Sequence, residues 1–283
     1  MNPTALPSLA VTGSTGALGR LVAEELAAAG VGQRLLVRTL AKAPTLPGSV
    51  PVSFAYADSA ACAVALAGVD TLLMVSASES VDRLDQHRAF VDSVREAGVR
   101  HVVYTSFYGA APDATFTLAR DHAVTEDYLR ASGVDVTFLR DNLYLDFMGA
   151  VIGEDDVIRG PAGDGRVAAV ARADIARVAA TVLQDPASHV GRTYDLTGPE
   201  ALTLTEIASQ LSGHLGRTIR FHDETLAEAY ASREKWGAPD WQNDAWVSTY
   251  TAIAAGELAG VTDDVRAVTG RTPLSLRDLL ARS

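Results

Sequence analysis

Leu9-Ala10-Val11-Thr12-Gly13-Ser14-Thr15-Gly16-Ala17-Leu18-Gly19 begins as an apolar strand, passes through three glycines and leads into the alanine-rich helical stretch Leu21 to Ala29. Each glycine has a mechanical reason. Gly13 permits a tight turn, Gly16 lets backbone N–H groups approach a pyrophosphate, and Gly19 lets the helix pack closely on the strand. Those N–H groups and the positive end of the helix dipole then face phosphates. Strand, glycines and helix in this order predict a dinucleotide cradle, with Gly13, Ser14, Thr15, Gly16, Ala17, Leu18 and Gly19 as its residues.

The end of the second strand decides which dinucleotide fits. An acidic residue there holds the ribose 2′-hydroxyl of NAD, whereas arginine accommodates the 2′-phosphate of NADP. Gln33-Arg34-Leu35-Leu36-Val37 runs into Arg38, with Lys42 one helical turn later, and no Asp or Glu occurs between Glu25 and Asp58. Arg38 and Lys42 are therefore expected to clamp a 2′-phosphate, favouring NADPH over NADH.

Strand-like and helix-like segments alternate through the first half, the pattern of a parallel sheet covered by helices on both faces. Six strands are expected: Leu9 to Thr12, Arg34 to Arg38, Val50 to Phe54, Thr71 to Val75, His101 to Thr105 and Val134 to Leu139. The helix from about Leu84 to Ala97 places Leu84, His87, Val91 and Val94 on one stripe, which makes His87 a hydrogen-bonded structural histidine. The helix from about Phe116 to Ala131 aligns Leu118, His122, Thr125 and Leu129 on a face expected to look toward the sheet and cofactor. Gly-rich turns follow, with Gly149, Gly153, Gly160, Gly163 and Gly165. A helix N-capped by Asp174 and a strand Arg192 to Leu196 then return to the sheet.

Beyond Thr197, Thr203 and Glu206 have capping-box spacing ahead of a helix from Leu204 to Leu215, and Thr218 to His222 reads as a strand. The fold class is thus α/β, a Rossmann doubly wound parallel sheet with a smaller C-terminal α/β substrate domain. Residues 1–141 and 166–196 form the dinucleotide-binding part, and 142–165 and 197–283 the substrate-binding part. Trp236, Trp241 and Trp246 lie close to Tyr230 and Tyr250 in this late section; such a cluster either walls a pocket for a flat apolar substrate or packs structurally.

The 283 residues can bury a large core, and no apolar run approaches the 18 residues of a membrane span. The first residues lack a basic region followed by an apolar stretch, so no secretory signal is expected. The single cysteine, Cys62, excludes an internal disulfide and suits the cytoplasm. A net charge of −11 without a Lys/Arg cluster removes the electrostatic footprint of nucleic-acid binding. The six histidines show no metal-ligand spacing, so no metal is expected.

The chain resembles the NmrA-like branch of atypical short-chain dehydrogenases, and within it the type 2 NAD(P)H:quinone oxidoreductases and triphenylmethane-dye reductases. The resemblance is carried by Thr12 to Gly19, Gln86-His87-Arg88, Gly98-Val99 leading to Tyr104-Thr105-Ser106, and His122 with Thr125-Glu126. Leu139-Arg140-Asp141-Asn142, Ala162-Gly163-Asp164-Gly165, Arg172 to Ala176 and Thr269 to Pro273 continue it. It implies a Rossmann domain on NADPH, a smaller C-terminal domain and a substrate cleft between them.

Typical short-chain dehydrogenases carry a Tyr-x-x-x-Lys pair on the helix beside the nicotinamide; the corresponding residues here are Leu118 and His122. Leucine cannot donate a proton. A quinone or similar flat electrophile accepts hydride directly, so positioning supplies most of the catalysis, with solvent or His122 providing protons. His122 and Tyr104 are the catalytic candidates. Ser76, Ala77 and Ser78 after the fourth strand, and Tyr104, Ser106 and Phe107 at the fifth, are expected near the cofactor, although Tyr104 also reads as a core strand residue and Ser76 to Ser78 as a polar turn. Phe107, Asn142, Leu143, Tyr144 and Trp236 are the substrate candidates, while Glu126 reads as structural. The partner is a small quinone-like molecule, neither nucleic acid nor membrane, and the sequence is compatible with a homo-oligomer. The alternative is an NmrA-like NADP(H)-sensing regulator acting through a protein partner.

Overall fold

The structure, a computed structural model, describes residues 6–282; Met1 to Ala5, read above for a secretory signal, lie outside the described residues. The chain runs β1 (Leu9–Thr12), α1 (Ala17–Ala28), β2 (Gln33–Val37), β3 (Ser49–Ser53), α2 (Ser59–Leu66), β4 (Thr71–Met74), α3 (Arg83–Glu96), β5 (His101–Phe107), α4 (Thr117–Ala131) and β6 (Asp135–Asp141). It continues through β7 (Val157–Gly160), β8 (Arg166–Val167), α5 (Arg172–Gln184), β9 (Thr193–Leu196), β10 (Leu202–Thr203), α6 (Leu204–Leu215), β11 (Arg220–Asp223), α7 (Leu226–Arg233), α8 (Asp240–Ala254), α9 (Asp264–Thr269) and α10 (Leu276–Leu280).

Seven strands form one sheet in the order β3-β2-β1-β4-β5-β6-β9. The reversal beside β1 is the doubly wound Rossmann arrangement, which places ligands beyond the carboxyl ends of the strands. Registers from β3 through β5 are parallel. Such strands are covered on both faces and read as continuous apolar runs. All residues of β1, β2 and β5 are buried accordingly. Arg34 in β2 is the exception in charge: its guanidinium donates to the carbonyls of Pro7, Ala65 and Ala67 and so ties three segments together. At the sheet edge, β3 reads Ser49-Val50-Pro51-Val52-Ser53.

Two compact units emerge. The first comprises Met1–Ser106, Ala123–Arg140 and Ile175–Tyr194; the second comprises Phe107–His122, Asp141–Asp174 and Asp195–Ser283. The second unit thus takes in Phe107–His122, Asp141, Arg166–Asp174 and Asp195–Leu196, which the sequence reading had assigned to the dinucleotide-binding part. The core of the first unit sets strand residues such as Leu36, Leu72, Met74, Val102 and Phe138 against Leu66, Phe90, Val91 and Leu129 of the helices. The second unit packs Ile158, Val167, Ile207, Leu211, Ile253 and Leu276 together.

Several boundaries depart from expectation. Strands β5 and β6 each run two residues further than read, because pairing continues from Tyr108 N–H to the Asp141 carbonyl. Helix α5 begins at Arg172, so Asp174 lies in its first turn and is not its N-cap; its carboxylate accepts the Leu274 N–H. The glycine-rich turns contain β7 and β8, and β7 pairs in parallel with β11. The Thr203–Glu206 capping box forms with both of its hydrogen bonds ahead of α6. Among the described residues no helix is long and apolar enough to cross a membrane.

Candidate functional site

At the opening turn, Gly13 has φ +65°, and a Cβ there would lie 3.0 Å from that of Val75. The Gly16 N–H closes the turn on the Gly13 carbonyl at 2.8 Å. A Cβ on Gly19 would fall 2.4 Å from the same carbonyl, so only glycine permits α1 to start this close to β1. Beneath the turn, Thr12 Oγ1 accepts the Val75 N–H, and the Tyr56 hydroxyl sits against both Thr12 Oγ1 and the Val75 carbonyl. This bracing fixes the turn to β4.

Helix α1 has no side-chain cap and no acidic residue in its first turn. Its leading N–H groups are therefore available to an anion. Thr15, Gly16 and Ala17 are exposed, whereas Ser14 is buried with its hydroxyl unpartnered. A cavity of about 440 Å³ opens beside them, lined by Thr15, Arg38, Thr39 and Lys42. Uncapped N–H groups, two hydroxyls and two cations match the chemistry of a phosphorylated dinucleotide. Sequence spacing had singled out Arg38 and Lys42; Thr39 was missed, although it sits between them.

The residues after β4 behave differently. The Ser76 N–H donates to Thr105 Oγ1 and the Ala77 N–H to His87 Nε2, each at 2.9 Å. Both N–H groups are thus engaged within the fold, while Ser78 remains exposed. Because His87 Nε2 accepts, its Nδ1 carries the proton and donates to Thr125 Oγ1 at 2.9 Å. Burial drops the His87 pKa to about 3, so the ring is neutral and structural, as its helical position implied.

Tyr104 corrects the sequence reading. With β5 continuing to Phe107, it lies inside the strand, fully buried, edge-on to His87 and Phe138. Burial pushes its hydroxyl well above the usual phenol range, and it has no surface from which to touch cofactor or substrate. It is a core residue. Ser106 is also buried and donates to Glu126 Oε1 at 2.6 Å. Glu126 also accepts from Arg130, its i,i+4 neighbour, and from Arg140 through two nitrogens, forming a structural cluster that the spacing with His122 did not anticipate.

In the second unit, Phe107 packs against Phe116 at 4.8 Å between ring centres, and His122 lies tilted against Phe107 at 6.2 Å. His122 is only 7% exposed. Leu118 is half-buried. Asn142, expected at the substrate, has its side chain engaged within the fold. It is buried, its amide nitrogen donates to the Leu258 carbonyl, and its Oδ1 accepts the Leu143 N–H. Leu143 packs on the core of this unit.

Tyr144 is half-buried. Its hydroxyl donates to Asp141 Oδ2 at 2.6 Å, and the Arg172 guanidinium lies 4.8 Å from its ring centre. Asp141 is buried, Oδ1 has no hydrogen-bond partner, and desolvation pushes its pKa up to about 7 against the opposing pull of the Tyr144 hydrogen bond. Sequence reading missed Asp141, though its place in Leu139-Arg140-Asp141-Asn142 was visible. Trp236 is 58% exposed, meeting Trp246 edge-on at 5.6 Å. Tyr250 packs elsewhere, under Arg233 and against Gly160, so the late aromatics serve separate purposes.

A family model described as NAD(P)H-binding matches residues 13–186. Quinone oxidoreductase 2 of Escherichia coli is 35% identical over 257 residues, covering 88% of this chain and 89% of that protein. The crystal structure of the NADPH-dependent quinone oxidoreductase of Escherichia coli complexed with NADPH superposes with a TM-score of 0.88 at 32% identity, covering 97% of this chain and 99% of that one. The triphenylmethane reductase of Citrobacter sp. complexed with NADP(H) gives 0.86 at 31% identity, with coverage of 97% and 99%. With a glycine turn built to receive a dinucleotide and relatives matched along nearly their whole length, the chain belongs to the NmrA-like branch of the NAD(P)H-binding family and is an NAD(P)H-dependent oxidoreductase.

Proposed function

We propose that this protein uses NADPH in preference to NADH and passes hydride directly to a quinone or a similarly flat electrophile. The observation that carries the coenzyme preference is the cavity bounded by Thr15, Arg38, Thr39 and Lys42, with no acidic residue among its walls. Arg38, with its planar fork, and Lys42, with its point charge, would hold a 2′-phosphate there. The glycine turn and the start of α1 hold the pyrophosphate through backbone N–H groups.

The bound coenzyme supplies the hydride, and the protein orients the reactants and excludes water. Leu118 has no proton to exchange, which argues against alcohol–carbonyl chemistry of the Tyr-Lys kind. Relatives that act on quinones and on triphenylmethane dyes support an acceptor whose gained electron pair spreads over an aromatic system.

Titration with each coenzyme tests the first half. Arg38→Ala is expected to weaken NADPH binding about 10- to 100-fold while leaving NADH nearly unchanged, as loss of a charge-assisted hydrogen bond requires. Equal losses for both coenzymes would remove the assignment. Steady-state NADPH oxidation across a panel of quinones tests the second half, and a protein that binds NADPH yet accelerates none of them is not this reductase.

A further inference from the structure

Asp141 closes β6 at its carboxyl end, the side on which parallel α/β sheets gather their ligands. Oδ2 is taken by the Tyr144 hydroxyl at 2.6 Å, and Oδ1 is buried without any partner. An ionised carboxylate in that setting is poorly solvated on one side. Burial accordingly pushes its pKa up to about 7, so the side chain keeps a proton to far higher pH than an ordinary carboxyl does.

Tyr144 connects this buried proton to a less enclosed position, being only half-buried. The Arg172 guanidinium lies over its ring. Ionisable side chains on the elements bonded to the pair are few. Tyr108 follows β5 and its N–H meets the Asp141 carbonyl; Asp195 lies on β9, whose Leu196 carbonyl accepts the Asn142 N–H; Asp146 accepts the Arg172 N–H.

We propose that Tyr144 is the proton donor to the reduced acceptor and that Asp141, acting through it, is the positioning residue that restores its proton. The inference rests on the reductase reading above. A quinone that has gained a hydride is a hydroquinone monoanion. With the carboxyl protonated on Oδ2 the bond between them reverses, Asp141 donating to the Tyr144 oxygen and the hydroxyl hydrogen turning to the acceptor; the Tyr144 O–H bond then breaks, its proton forms the second hydroxyl of the hydroquinone, and the Oδ2 proton passes to the Tyr144 oxygen. Water then reprotonates Asp141, so that quinone, hydride and one proton give hydroquinone.

A cationic triarylmethane dye provides the contrast, since hydride alone makes it neutral and no proton is needed. Asp141→Asn and Tyr144→Phe are to be assayed with NADPH against 1,4-naphthoquinone and against the dye, between about pH 5 and 9, with thermal melts confirming that both variants fold. The ratio of quinone to dye turnover is expected to fall about 100-fold or more in both variants, the usual contribution of a general acid. The wild-type quinone rate should decline as pH rises through about 7, and that limb should vanish in Asp141→Asn. Parallel loss with both acceptors, or survival of the limb in Asp141→Asn, overturns the relay alone. A wild-type protein inactive with both acceptors overturns the reductase reading and the relay with it.

Discussion

Helix α3 and the end of β6 each bring an ionisable side chain into the interior, and burial drives both toward neutrality: His87 down to about 3, Asp141 up to about 7. Their surroundings then diverge. Both His87 nitrogens are hydrogen-bonded, one from the Ala77 N–H and one to Thr125, so the ring is a fixed strut. Asp141 has one oxygen bonded and one idle. A fully bonded buried group stabilises the fold, whereas a half-bonded one stays near its titration point and is free to exchange a proton.

The harshest way to break this contrast is to remove the strut. His87→Leu strands the Ala77 N–H and takes a partner from Thr125, and should cost about 2–6 kcal/mol in chemical denaturation, at about 1–3 kcal/mol for each partner deprived. A loss below about 0.5 kcal/mol would mean that the two bonds do not hold the loop.

The pH dependence of stability sharpens it further. His87 has a folded pKa below its ordinary 6.5, so the folded state binds fewer protons and loses stability as pH falls from 6.5 toward 3. Asp141 has a folded pKa above its ordinary 3.8, so its contribution is complete below 3.8 and is lost as pH rises through about 7. Between about pH 4 and 6.5 the two slopes oppose each other. Asp141→Asn should unmask the histidine slope, gaining on wild type by about 1 kcal/mol for each pH unit climbed. Unfolding curves for the two proteins that stay parallel across this range would contradict the raised carboxyl pKa.

The smallest effect is expected from Tyr144→Phe. At pH 5 the Asp141 carboxyl is largely neutral and one hydrogen bond is lost, worth about 1 kcal/mol. Because the Tyr144 hydroxyl favours the charged carboxylate, its removal should move the Asp141 titration, followed by carboxyl-carbon NMR, to higher pH. A shift in the other direction would show that the hydroxyl serves the neutral acid.

The half of the site that was legible in sequence is local. Gly13, Gly16, Gly19, Arg38 and Lys42 act through a single turn and a single strand end, and the Thr203–Glu206 capping box spans only three positions. What the chain concealed depends on partners far away. Asn142 is claimed by the Leu258 carbonyl, 116 positions on, and His87 by Thr125, 38 positions on. Tyr104 was read both as a site residue and as a core strand residue, and the choice is made by His87 of α3 and Phe138 of β6 closing over it, which no local pattern reveals. The low solvation of Asp141 likewise arises from tertiary packing, and its neighbour Asn142 drew attention by its place after the sixth strand.

Pro51 on β3 has a bearing on how the molecule behaves among its own copies. The Phe54 N–H bonds Val37 of β2, so by strand alternation the N–H groups of Val50 and Val52 point inward and position 51 points outward. Proline has no N–H to offer there. The middle of this rim therefore lacks a donor that an incoming strand would seek, which works against edge-to-edge pairing between copies in a crowded solution.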